Sequence, residues 1–172
     1  MDTISGDLCR ELGYSAPIPR KNKPSVINTF MSIAFECAKR SPDAETQHGC
    51  VITSADHRLI STGYNGFPRN IDYSQLPNTR PHKYGWMRHA EKNALAWCPQ
   101  RPVGCIAYIT GKSCNDCLMT LWQHGITSIY EADRGITNES PTDEIERKLF
   151  LRLAHPHGLR MHKVPLPSAI LR

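Results

Sequence analysis

A chain of 172 residues is long enough for one domain with a sizeable buried core. Hydrophobic residues make up 40% of it, yet no apolar run reaches the length of a membrane span, which argues against a membrane protein. A formal net charge of +5 suits an anionic small-molecule partner, and with 8% aromatic residues and no basic stripe it argues against a nucleic-acid surface.

Seven cysteines, an odd number without the spacing of a disulfide scaffold, point to reduced thiols and a cytoplasmic protein. The first residues (MDTISGDLCRELGY) carry acidic and polar groups early and do not read as a secretory signal. Residues 1–23 read as an N-terminal extension, residues 24–165 as one domain and residues 166–172 as a C-terminal tail.

From Val26 the apolar residues Ile27, Phe30, Met31, Ile33, Ala34, Cys37 and Ala38 follow helical spacing up to Arg40-Ser41-Pro42. The runs GCVIT and LISTGY, joined by a turn at Ala55-Asp56-His57, predict a β-hairpin. Residues 65–86 form a long stretch rich in Pro, Gly, Asn and Asp. An irregular segment of that length inside a domain is usually functional, and this one leads straight into His89. A helix then starts at His89 and ends before Pro99, a strand covers residues 103–110, a helix covers residues 114–124, and a strand starts at Ser128. A polar loop over residues 138–143, a last helix around Ile145, Leu149, Leu151, Leu153 and Ala154, and a strand over residues 159–164 complete the order. Alternating strands and helices in the second half imply parallel strands with crossover helices, whereas the hairpin implies an antiparallel start. The expected architecture is a three-layer α/β/α fold around a mixed five-stranded sheet.

The chemistry is carried by His89-Ala90-Glu91 and Cys114-Asn115-Asp116-Cys117. One imidazole and two thiolates can hold Zn²⁺ and leave its fourth position open to water, which separates a catalytic from a structural zinc. Glu91 is then a carboxylate free to move protons. Cys114 and Cys117, three apart at a helix start, share a face, and the helix N-terminus favours thiolate over thiol. Ser113 is placed to cap that helix. A lone C-x-x-C also serves redox and structural zinc sites, but those readings leave His89 and Glu91 without a role. His48, Cys50, His82, Cys98 and Cys105 could supply a second metal; buried thiols are the default. H-x-E followed by C-x-x-C is a recognised signature of zinc nucleobase deaminases.

Further segments carry a more specific resemblance. Phe30-Met31 with Arg40-Ser41, the loop Gly63-Tyr64-Asn65-Gly66-Phe67-Pro68-Arg69, Lys83-Tyr84, His89-Ala90-Glu91-Lys92-Asn93-Ala94, Tyr108-Ile109-Thr110, Ser113-Cys114 and Gly125-Ile126 together resemble the deoxycytidylate (dCMP) deaminase family of the cytidine deaminase-like superfamily. The resemblance implies zinc-dependent hydrolysis of dCMP to dUMP with release of ammonia, feeding thymidylate synthesis. It implies His89, Cys114 and Cys117 as Zn²⁺ ligands, Glu91 as proton shuttle, and Asn65 and the main-chain N–H of Ala90 as substrate contacts. Tyr84 and Asn93 are further substrate-side candidates: Tyr84 lines the pocket or packs a loop against the core, and Asn93, four residues past His89, braces the metal helix against the Asn65 loop. It implies a homo-oligomer, typically a hexamer, with dCTP and dTTP as effectors, Mg²⁺ on their phosphates, and Gly63, Tyr64 and Gly66 in the effector loop. The alternatives are a deaminase of another cytosine nucleotide (dCTP or a 5-modified dCMP) or of a polynucleotide, and a catalytically silent zinc-binding assembly subunit. The chain departs from the family in Ser113, where proline is usual, and in Gln47-His48-Gly49-Cys50, where many relatives carry valine and alanine around the glycine.

Overall fold

A computed structural model of the chain describes residues 11–13, 20–135 and 140–166, so most of the expected N-terminal extension and the C-terminal tail lie outside the described residues. Ser25 Oγ accepts the Asn28 N–H at 3.1 Å and starts helix α1 (Val26–Ala38). Strands β1 (Gly49–Thr53) and β2 (Leu59–Tyr64) pair antiparallel as the hairpin pattern predicts. Next come α2 (Ala90–Ala96), β3 (Ile106–Ile109), α3 (Asn115–Gln123), β4 (Ser128–Asp133), α4 (Pro141–Ala154) and β5 (Arg160–Pro165). The sheet order is β2-β1-β3-β4-β5, with β1 antiparallel to β2 and β3, and β3, β4 and β5 mutually parallel. The mixed five-stranded sheet is the one the element order predicts.

Successive strand residues point to opposite faces, and both faces of the central strands are apolar. Cys50, Ile52, Ala107 and Ile109 face one layer with Ala90, Ala94, Leu118, Leu121 and Ala154 from α2, α3 and α4. Val51, Ile106 and Tyr108 face the other, covered by Met31 and Ala34 of α1. This sandwich places the first turns of α2 and α3 side by side (Lys92 of α2 pairs with Asp116 of α3).

Glycine permits close contact between layers. A Cβ on Gly63 would lie 2.3 Å from the Ala94 nitrogen and 2.4 Å from the Ala90 oxygen, so only glycine lets β2 meet α2 at this distance. The long segment after β2 is drawn back by two main-chain bonds: Gly66 N–H donates to Arg88 O at 3.0 Å and Arg88 N–H to Gly66 O at 2.9 Å.

Element ends differ from expectation for local reasons. The β3 strand starts three residues later than residue 103, because Gly104 takes φ +72° and turns Val103 out to 69% exposure. The last helix begins inside the expected polar loop, because Ser140 caps it and Pro141 fits its first turn. Its Ile145, Leu149 and Leu153 point outward, and Phe150, Leu151 and Ala154 meet the core. Among the described residues no helix is long and apolar enough to cross a membrane.

Candidate metal and catalytic site

Both segments expected to bind metal sit at helix entrances. His89 is the extended residue before α2, and Cys114 is the corresponding residue before α3. The expected cap, Ser113, does not serve: Cys114 Sγ itself accepts the Cys117 N–H at 3.4 Å, and the buried Ser113 Oγ caps no N–H of the helix. The reason is register. The helix begins one residue after Cys114, so the thiol occupies the capping position.

His89 Nδ1 lies 3.2 Å from Cys117 Sγ and 3.5 Å from Cys114 Sγ, and all three donor atoms fall within 4.8 Å of one another. Zinc bonds of about 2.0–2.1 Å to nitrogen and about 2.3 Å to sulfur, at tetrahedral angles, put N and S roughly 3.5 Å apart, so the donor set fits Zn²⁺. Cys117 is buried, Cys114 half-buried and His89 exposed, which leaves one side of the cluster accessible. The thiols differ in acidity. A hydrogen bond from Cys117, helped by His89, holds Cys114 down to about 4, against the effect of burial. The same shared proton and burial push Cys117 up. Cys114 is thus poised as the thiolate, and Cys117 must lose its proton on metal binding. Among the described residues no second cluster of three donors forms from His48, Cys50, His82, Cys98 and Cys105.

Glu91, in the first turn of α2, is 5% exposed. Burial raises its pKa, and the positive charge of His89 opposes that shift. A carboxyl so placed holds its proton more readily than an exposed one, which suits a group that must carry protons.

A cavity of about 680 Å³ opens over this cluster, and Ala90, Glu91, His89 and Cys114 line it. Asn65 and Tyr84, expected as substrate contacts, also line it, whereas Asn93, Gly63, Tyr64 and Gly66 lie outside its wall. Asn93 Nδ2 donates to Tyr64 O at 2.7 Å and ties α2 to the end of β2. Asn65 spends most of its amide on the protein. Its Nδ2 donates to Asp43 Oδ2 (3.2 Å) and Thr46 O (2.9 Å), and its Oδ1 accepts the His48 N–H (2.8 Å). One lone pair of Oδ1 remains for a ligand.

Several residues on this wall take partners that the sequence does not signal. Lys83, 2% exposed, donates to Asp43 Oδ1 at 2.6 Å and pairs with Glu45 Oε2 at 2.8 Å. Burial raises the Asp43 carboxyl, but hydrogen bonds from Lys83 and from the Glu45 and Thr46 N–H groups outweigh it and hold the pKa below its usual range. By its sequence Lys83 is a lysine like any other in a polar segment; the fold makes it the core of an ion-pair network. Behind Cys114, Glu131 Oε1 accepts the Ser113 N–H (2.8 Å), while Arg147 bonds both Glu131 Oε2 (2.6 Å) and Ser113 O (3.1 Å). Arg134 stacks on Phe35, donates to the main-chain oxygens of Thr110 and Gln47, and meets no carboxylate among the described residues. His48 also lines the cavity. Burial, then the charges of Arg134 and His89, lower its pKa to about 4. These partners lie far apart in sequence, and nothing in local spacing marks them.

The family model for the cytidine and deoxycytidylate deaminase zinc-binding region matches residues 24–132. The chain belongs to the cytidine and deoxycytidylate deaminase family. It is 33% identical to a deoxycytidylate deaminase of Mus musculus over 133 residues, 73% of each chain. It is 35% identical to that of Pongo abelii over 107 residues, which span 58% of this chain and 60% of that one. The chain therefore matches about three fifths of the length of the orangutan relative. The fold is that of a cyanophage S-TIM5 dCMP deaminase solved with dCMP and dUMP, with a TM-score of 0.61 at 22% identity, covering 83% of this chain and 98% of that one. The zinc-binding region of the deaminase family takes in His89, Glu91, Cys114 and Cys117 together with Asp43, Asn65 and Lys83. Arg134 and Arg147, on the same cavity, lie past its end.

Proposed function

We propose that the protein is a zinc-dependent deaminase that hydrolyses dCMP to dUMP and ammonia. The observation that carries this reading is the convergence of His89, Cys114 and Cys117 within 4.8 Å beside a cavity that His89, Cys114 and the buried Glu91 line. One Zn²⁺ per protomer, held by these three donors, supplies Lewis-acid activation of water. Glu91 takes a proton from the attacking water and delivers it to N3 of the ring, then carries a proton to the amino group leaving C4. The balance is cytosine plus water to uracil plus ammonia. The upward pressure of burial on Glu91 favours the protonated form that the delivery steps need.

The main-chain N–H of Ala90 and the free lone pair of Asn65 Oδ1 are the polar groups assigned to the base and sugar, with Tyr84 beside them on the cavity lip. For the phosphate we assign Arg134, a half-buried cation whose donors meet only main-chain oxygens among the described residues. A homo-oligomer, hexameric by resemblance, and control by dCTP and dTTP with Mg²⁺ through the loop of Gly63, Tyr64 and Gly66 complete the proposal, as do Asn93 as the brace that holds α2 against the end of β2, beside Asn65, and a role in supplying thymidylate synthesis in the cytoplasm.

The test is ammonia release from dCMP, dCTP, deoxycytidine and single-stranded DNA side by side, with zinc measured per protomer. The expected result is one zinc and a clear preference for dCMP. Preference for another cytosine compound changes the substrate, and no release from any of them removes the enzymatic reading. Sedimentation with and without dCTP and Mg²⁺ tests assembly and effector binding.

A further inference from the structure

On the same cavity stands a side chain to which the deaminase mechanism gives no task. His48 immediately precedes β1, and its main chain is clamped on both sides by one residue. Its N–H donates to Asn65 Oδ1 at 2.8 Å, and its oxygen accepts the Asn65 N–H at 3.1 Å. The ring is seated as firmly. A Cβ built on Gly111 would lie 2.7 Å from His48 Cε1 and 3.0 Å from its Nδ1. Gly111 does not adopt a left-handed conformation, so its backbone would accept any residue. What excludes a side chain there is the imidazole of His48.

The ring is half-buried, its residue lines the cavity, and among the described residues neither nitrogen makes a hydrogen bond. Polar groups held in a fixed, partly desolvated position are normally satisfied. In the free protein solvent can serve this ring; a ligand that fills the cavity displaces that solvent and must offer the hydrogen bond in its place. An uncharged imidazole offers one N–H donor and one acceptor nitrogen, which suits a carbonyl or hydroxyl and does not demand an anion.

We propose that His48 is a specificity-determining residue that hydrogen-bonds the base–sugar portion of the bound nucleotide, and that Gly111 is glycine in order to seat it. The proposal rests on the deaminase reading of the cavity and adds a recognition contact to it. Because His48 is neither a metal donor nor a proton carrier, its loss weakens binding and leaves the chemical step in place.

The test uses the zinc-loaded enzyme and dCMP. In His48→Val the KM rises roughly tenfold, the loss of one hydrogen bond with its partner left unsatisfied, and His48→Asn recovers part of it. Zinc content is unchanged and kcat stays within about threefold, the pattern of lost ground-state binding. Gly111→Ala, which displaces the ring, raises KM in the wild-type background but by less than about twofold in the His48→Val background, because the two act through one contact. In ¹⁵N-histidine-labelled protein the ring resonance assigned through His48→Asn moves on titration with dUMP, a shift that a purely structural histidine would not show. A KM within about twofold of wild type in both His48 variants, or an unmoved resonance at saturating dUMP, overturns the proposal. Wild-type enzyme that is active while these variants behave identically sinks the His48 contact alone. Wild-type protein that deaminates no cytosine nucleotide sinks the deaminase reading and this contact with it.

Discussion

The two walls of the cavity are held together by opposite means. On the metal wall, His89 and Cys117 are 28 residues apart and come from two helix entrances packed side by side. Their donor atoms share protons with one another and need a cation to complete them. On the facing network, Asp43 and Lys83 are 40 residues apart, and Asp43 also takes an amide proton of Asn65. Here the charges neutralise each other inside the protein, and no ligand is needed to complete them. One wall is built to be finished by what binds, the other to stay put while binding happens.

The largest expected effect breaks the metal wall without touching the other. Glu91→Gln retains zinc and the fold, because Glu91 is not a metal donor, but loses about 10²–10⁴-fold in turnover, the usual share of a positioned acid–base group. Ammonia release and zinc content, measured together, check this; near-normal turnover would remove Glu91 from the chemistry. The complementary variant breaks the ion-pair network. Lys83→Met strands Asp43 beside a methionine and costs about 3–5 kcal/mol in urea unfolding. Adding Asp43→Asn recovers part of that loss, and an unaffected single variant would mean that the pair is effectively solvated.

Gly63→Ala probes the frame that both walls share. Its new methyl group collides with main-chain atoms of α2, and main chain cannot step aside as a flexible side chain can. The expected loss is about 1–3 kcal/mol, read from the denaturation midpoint. Unchanged stability would show that β2 and α2 can separate freely.

The smallest effect is a slope. The folded protein keeps His48 uncharged down to about 4, whereas its ordinary value is 6.5. Between these values the unfolded chain binds a proton that the folded chain refuses, so this group lowers stability as pH falls through that window. The effect is absent above 6.5 and complete below about 4. His48→Gln, which cannot charge, shows a shallower loss of stability between pH 7 and pH 5 in urea titrations; an identical slope would place the imidazole in solvent.

Most of the frame is legible along the chain, and the places where it is not have local causes. Helix α1, the hairpin and the alternation that implies parallel strands all follow from apolar spacing, because burial on one face repeats at the period of the element. The β3 boundary is displaced by a single left-handed glycine, which a run of VGCIAYIT does not reveal. Ser113 reads as a cap, yet a one-residue shift in the helix start gives that position to Cys114. The donor set is legible for a different reason: a metal constrains which residue types can serve, and two short motifs satisfy it.

What the sequence alone determined is the chemistry on offer: an imidazole, two thiols and a spare carboxyl, on segments whose periodicity puts them at helix ends. What only the tertiary structure decided is which charges are buried and against whom. Lys83 looks like any surface lysine until Asp43 and Glu45 close on it, and His48 looks like any loop histidine until Gly111 makes room for its ring. The reason is physical. Donor type is a property of a residue, whereas desolvation and pairing belong to neighbours that the chain brings together only when it folds.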